Sequence, residues 1–180
     1  NFLTYFRNRD TSNGNPLQTP DENYAREFLQ LFTLGVTELN MDGSQKLVNG
    51  NPVETYTNED IVGLARVFTG LSCEGSDFWN CDDYDQASPL VMYQNYHSKN
   101  EKKFLGKTIG AYVDGDTAID QAIDHIFEHP NLAPFIAIRL IQRFTASSPT
   151  PEYIERVATA FETGSYTSVD NVQFGVGNRG

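Results

Sequence analysis

Two acids and a guanidinium crowd into one short segment, Glu22-Asn23-Tyr24-Ala25-Arg26-Glu27. On a helix, Glu22 and Arg26 are one turn apart, as are Asn23 and Glu27, so each pair occupies neighbouring surface. Buried, such a group could hold a metal, activate a water or grip a sugar hydroxyl, because a carboxylate desolvated beside a like charge is driven toward a useful pKa. A plainer alternative ranks ahead of it: an internal salt-bridge network that fixes how the helices dock, with Arg26 as a planar, always-charged donor. Glu22 and Glu27 are thus candidate acids or bases, and Asn23 and Arg26 candidate binding groups.

Two further side chains could join them. Arg66 would share a helical face with Asp60 and Gly63 and could approach the first cluster, or equally serve as a surface cation. His97 lies in the irregular stretch Tyr96-His97-Ser98-Lys99, where loops carry function more often than helix surfaces do. A lone histidine without a second placed ligand is nevertheless more often structural. His129, ahead of Pro130, reads as a cation near a helix C-terminus. Asp77, Asp82, Asp83 and Asp85 could take calcium through oxygen ligands, but their spacing is not that of an EF-hand, and solvated acids are the better reading. No other metal or cofactor is expected: there is no phosphate loop, no Gly-x-Ser-x-Gly elbow, no Gly-x-Gly-x-x-Gly and no His-Glu-x-x-His.

Helices must position these groups. Thr19-Pro20-Asp21-Glu22 offers a capping hydroxyl, a proline at the first helical position and an acid at the third, and Gly35 is placed to end the helix. Between them Tyr24, Phe28, Leu31 and Phe32 recur at helical spacing as one apolar stripe. Thr57-Asn58-Glu59-Asp60 opens a second helix with Ile61, Leu64, Ala65 and Phe68 inward and Gly70 as its stop. Asn40 to Asn51 is rich in turn formers, and Gln45 to Val48 could form one arm of a hairpin. From Ser72 to Gly115 the periodicity is lost, which predicts a long irregular insertion with short strands near Leu90 to Tyr93. Three more helices are expected: Thr117 to His129 with Ile119, Ala122, Ile123 and Ile126 inward, Leu132 to Phe144, and Pro151 to Glu162. The fold class expected is mainly α, an irregular helical bundle with a loop-rich insertion and at most a small β-hairpin. Residues 1–180 are read as a single domain, with 165–180 as a flexible tail.

Composition narrows the partners. The 180 residues carry a formal charge of −11 and include 12 Phe and 9 Tyr, enough for one sizeable core. The negative charge repels polyanions, so no nucleic-acid partner is expected. Lys99, Lys102, Lys103 and Lys107 form the basic cluster, read as a solvated face. No apolar run approaches the roughly 18 residues that span a bilayer. Cys73 and Cys81 lie in a polar loop with seven residues between them, a spacing that suits a local disulfide contributing about 2.5 kcal/mol in an oxidising compartment. The first and last segments read as cut rather than natural ends, so missing segments of the same chain are themselves expected partners.

The run from Pro20 to Val36, with Tyr24-Ala25-Arg26-Glu27-Phe28 at its centre, resembles the signature of a bacterial family known as domain of unknown function 1800. Three later blocks resemble it in the same order: Tyr56 to Gly70, His97 to Gly106, and His129 to Phe144. The resemblance implies a mainly helical, often exported protein, usually several hundred residues long, of which this chain is an internal or carboxy-proximal fragment. Leu71 stands where the family commonly has Trp, and Ser98 where an Asp commonly follows the loop histidine, which counts against a His-Asp pair. No activity comes with the resemblance, so Glu22, Asn23, Arg26, Glu27, Arg66 and His97 are site candidates only. The expected function is an extracytoplasmic binding or assembly protein, periplasmic, cell-surface or secreted, that displays the Ser72 to Gly115 insertion to an unknown protein or extracellular polymer. The rival is a hydrolase of such a polymer using Glu22 or Glu27 with His97 or Arg66. A third view makes Glu22, Arg26 and Glu27 a buried scaffold without ligand.

Overall fold

The structure, a computed structural model, describes residues 8, 9, 20–75, 77–80 and 89–178. Five α-helices and eight short strands lie among them: α1 (Asn23–Glu27), β1 (Leu47–Val48), β2 (Asn51–Pro52), α2 (Asn58–Val67), β3 (Leu71–Ser72), β4 (Val91–Met92), β5 (Lys102–Phe104), β6 (Lys107–Ile109), α3 (Gly115–Phe127), α4 (Leu132–Phe144), α5 (Pro151–Thr163), β7 (Ser165–Thr167) and β8 (Gln173–Gly175). The architecture is helix-dominated but mixed. The strands pair antiparallel as β1-β2, β3-β4, β5-β6 and β7-β8, four two-stranded sheets where at most one hairpin was expected. Hairpins this short escape a search for alternation, because two or three residues show no period. Their turns are legible: Asn49-Gly50 and Leu105-Gly106 both adopt positive φ at both positions, the twist that suits a two-residue hairpin loop.

The chain forms two compact units, Asn1–Leu29 with Tyr56–Phe127, and Gln30–Thr55 with Glu128–Gly180. In the first, Phe68 at the end of α2 receives Tyr24 edge-on at 4.9 Å and Phe28 at 5.3 Å. The stripe of α2 is buried as expected, with Ile61, Leu64, Ala65 and Phe68 all under 5% exposed. In the second, Ala133, Ala137 and Ile141 of α4 mesh with Ile154 and Ala158 of α5. Small residues at that contact let the two helices approach closely. Thr150 caps α5 by accepting the Tyr153 N–H, with Pro151 at its first position, as the sequence indicates.

Four expectations need correcting. The first helix begins at Asn23, because the Asn8 amide takes both backbone groups of Asp21, at 3.0 and 2.9 Å, and the Asp21 carboxylate takes the Asn23 N–H at 2.8 Å. The expected capping residue, Thr19, lies outside the described residues. From Phe28 to Thr33 the helix widens into a π-helix, so the apolar stripe rotates: Leu29 is fully buried, while Leu31 and Phe32 are 50% and 64% exposed. Ile123 of α3, expected inward, is likewise partly exposed. The tail expected to be flexible forms β7 and β8, with Tyr166 stacked on Phe174.

The insertion is more ordered than its composition suggests, since 72–115 contains β4, β5, β6 and a 3-10 turn at Gln94–Tyr96. Its lysines are not all solvated. Lys102 is fully buried and its Nζ donates to the carbonyls of Ser98 at 2.8 Å and Asn100 at 3.2 Å. Strand alternation explains this, because Lys102 and Phe104 face inward on β5 while Lys103 faces out. Cys73 is fully buried, but its expected bridging partner Cys81 lies outside the described residues. So do Asp82, Asp83 and Asp85; Asp77 instead accepts the N–H groups of Trp79 and Asn80 in a tight turn. Among the described residues no helix is long and apolar enough to cross a membrane.

Candidate functional site

The outer face of α2 and the wall that precedes and includes β5 enclose a cavity of about 460 Å³, lined by Asn58, Glu59, Val62, Gly63 and Arg66 on one side and Asn100, Glu101 and Lys103 on the other. The helical spacing of 59, 62, 63 and 66 places these residues on one face. What brings the strand so close is Gly63. A Cβ at that position would collide with the backbone carbonyl of Lys103, so only glycine permits this approach.

Asp60 was expected on the same face, but its carboxylate turns elsewhere. One oxygen accepts the Thr57 N–H and hydroxyl, both at 2.7 Å, closing a capping box, and the other accepts the Leu105 N–H at 2.6 Å. His125 Nε2 donates to the Leu105 carbonyl at 2.8 Å. The β5-β6 turn is thereby held on both sides of one residue, and with it the strand that forms the cavity wall.

The first-helix candidates separate. Arg26 Nη2 donates to Glu22 at 3.2 Å and to the Asn58 side-chain oxygen at 3.1 Å, so this pair reaches the rim of the cavity through Asn58. Neither is buried: the Arg26 and Glu22 side chains are 40% and 26% exposed, which corrects the expectation of a buried scaffold. An ion pair so placed contributes about 0.5 kcal/mol. Asn23 is exposed and donates to Asp21. Glu27 lies near Tyr56, whose phenol is pushed above its ordinary value chiefly by burial, with Arg26 opposing and Glu27 adding to the shift.

His97 belongs to a different place. It is 4% exposed, and its Nδ1 lies 2.9 Å from the Thr69 carbonyl. A carbonyl only accepts, so Nδ1 carries the hydrogen in this contact. The Thr69 hydroxyl donates to the Arg66 carbonyl at 2.6 Å and accepts the Ser98 N–H at 2.8 Å. His97 is thus knitted to the C-terminal end of α2, whereas Arg26 meets its N-terminal end; the rise along α2, from residue 58 to residue 67, is about 14 Å. Glu22, Glu27 and His97 are not among the described residues that line the cavity, while Arg66 is.

His129 is also not the cation expected. Its Nδ1 accepts the Asn131 N–H at 3.1 Å, which requires a lone pair there. Among the described residues no three His, Cys, Asp or Glu side chains cluster as metal ligands.

The model of the family described as protein of unknown function, DUF1800, matches residues 2–172. This chain belongs to the DUF1800 family. No curated protein and no solved structure matches it. Within this DUF1800 domain, sequence reasoning missed the cavity residues Asn58, Glu59, Asn100, Glu101 and Lys103. The available signal was Gly63, a helix-interior glycine that costs about 1 kcal/mol and therefore asks for a packing reason. It also missed Asn131, a buried amide that donates to the Leu34 and Thr37 carbonyls and accepts the Leu39 N–H at 2.6 Å.

Proposed function

We propose that this DUF1800 domain is an extracytoplasmic binding domain whose α2-β5 cleft grips an uncharged, hydroxyl-rich stretch of an extracellular polymer. The observation that carries the reading is the charge balance of the cleft. Arg66 and Lys103 stand against Glu59 and Glu101, with the Asn58 and Asn100 amides among them. Hydroxyl groups both donate and accept, and such a lining offers both functions without selecting an ion of either sign. A chain of formal charge −11 works against a polyanionic alternative. Val62 supplies an apolar surface on which a sugar ring can rest. The volume, about 460 Å³, falls in the range of small-ligand sites. Asn100, Glu101 and Lys103 all come from the insertion expected to carry the contact surface. The Cys73 and Cys81 spacing supports an oxidising compartment. We assign the cleft no reaction, because the hydrolase alternative pairs Glu22 or Glu27 with His97 or Arg66, and of these four only Arg66 lines the cleft.

Calorimetric titration with cellohexaose, xylohexaose, maltohexaose and chitohexaose tests this. At least one should bind with Kd on the order of 0.1–1 mM. Arg66→Ala should weaken it about tenfold, the loss of one charge-assisted contact. If none binds, or polygalacturonate binds more tightly than all four, the reading fails.

A further inference from the structure

A second cavity, of about 310 Å³, lies within the unit built from Gln30–Thr55 and Glu128–Gly180, between the segment Gln30 to Leu39 and α4. Leu31, Val36, Leu39, Phe135 and Ile138 form the apolar part of its walls, Gln30, Thr37 and Gln142 the polar part, and Arg139 is the one charged residue among the described residues that line it. Gly35, at φ +75°, lets the Phe135 ring lie against the chain, since a Cβ there would sit 2.6 Å from the ring edge. The π-helix contributes as well. By rotating the apolar stripe it turns Leu31 outward to the rim, and a π turn breaks the ordinary helical ladder, a feature frequent at functional sites.

Arg139 is held over Phe135, its guanidinium carbon 4.9 Å from the ring centroid. Stacking on a ring leaves the planar edge of the fork open to an acceptor. No carboxylate among the described residues lies within ion-pair distance of it. Gln142, three residues on, and Gln30 across the groove bring two amides to the same lining. A guanidinium flanked by amides at the edge of a partly apolar slot matches a molecule with a carboxylate head and a short hydrocarbon body.

We propose that this groove binds a small amphipathic monocarboxylate, a medium-chain fatty acid, with the carboxylate on Arg139 and the tail against Leu31, Phe135 and Ile138. It is independent of the cleft on α2, and either site can fail without the other.

The probe is sodium octanoate, titrated into the isotopically labelled chain and followed by amide chemical shifts. Saturable changes are expected at Gly35, Phe135 and Gln142, with Kd on the order of 0.1–1 mM. Arg139→Gln should weaken binding about tenfold or more, and Arg139→Lys should fall between, keeping charge but losing the planar fork. Arg139 is exposed on α4, so both variants should keep the wild-type thermal midpoint. If Arg139→Gln does not fold, octylammonium on the wild-type chain decides, since it keeps the tail and reverses the charge and should not bind. Absence of saturation, equal binding of octylammonium, or octanoate affinity unchanged in a folded Arg139→Gln would each overturn the proposal. Tighter binding of a peptide ending in leucine than of octanoate would overturn it too, reassigning the groove to a chain terminus.

Discussion

The contact between α2 and β5 and the contact between α4 and α5 bring elements together by opposite means. Between α4 and α5, alanines and isoleucines mesh, and the requirement is volume. Between α2 and β5, Gly63 meets the Lys103 backbone, Asp60 accepts the Leu105 N–H, and the Lys102 ammonium is satisfied by two carbonyls. There the requirement is an atom in one place. A meshed apolar contact degrades gradually when a side chain changes, whereas a backbone approach through a glycine or a buried polar bond fails at once, because the displaced partner has no other way to be satisfied. The cleft lies on the second kind of contact, which makes its shape dependent on few residues.

The largest test of that contrast is Gly63→Ala, expected to cost about 3 kcal/mol in urea unfolding, since the methyl group meets backbone rather than a side chain that can swing away. Ala158→Gly, in the α4-α5 core, should cost about 1 kcal/mol, mostly helix propensity. Equal losses would dissolve the distinction. Asn131→Ala sharpens it from within the other unit, where the same polar logic recurs once: about 2 kcal/mol should be lost as the Leu39 N–H and the Leu34 and Thr37 carbonyls go unpaired. Asp60→Ala should cost about 1–2 kcal/mol, and the hydrogen-exchange protection of the Leu105 amide should fall with it.

The smallest effect is on pH dependence. Burial raises the Tyr24 phenol above its ordinary value, so the folded state prefers the neutral ring packed on Phe68. The associated stability is complete below the unfolded phenol pKa and is lost as pH rises through the higher folded value. Thermal midpoints measured from neutral to strongly alkaline pH should therefore fall less in Tyr24→Phe than in the wild-type chain. Parallel curves would show that the ring contact carries no such linkage.

The elements that rest on one long apolar period were legible. α4 spans Leu132–Phe144 as expected, and α2 and α5 keep the caps that Thr57 and Thr150 announced. The first helix was legible in kind and misread in detail, because a π-helix changes the period without leaving a mark on residue type. Of the six site candidates, only Arg66 lines the α2-β5 cavity; Arg26 reaches its rim through Asn58, and His97 lies at the other end of α2. Lys102 shows why charge alone misleads: its place in the alternation of β5, rather than its chemistry, put it inside.

By itself the sequence determined where α2, α4 and α5 start, since caps and apolar spacing act over a few residues and need no partner. It determined as well an acidic, membership-bearing chain whose family match runs from residue 2 to residue 172. Only the tertiary structure decided which polar groups share a cleft. Asn58 and Asn100 are far apart along the chain and meet because Gly63 has no side chain and Lys103 offers its backbone, a coincidence of two distant segments that no local rule encodes.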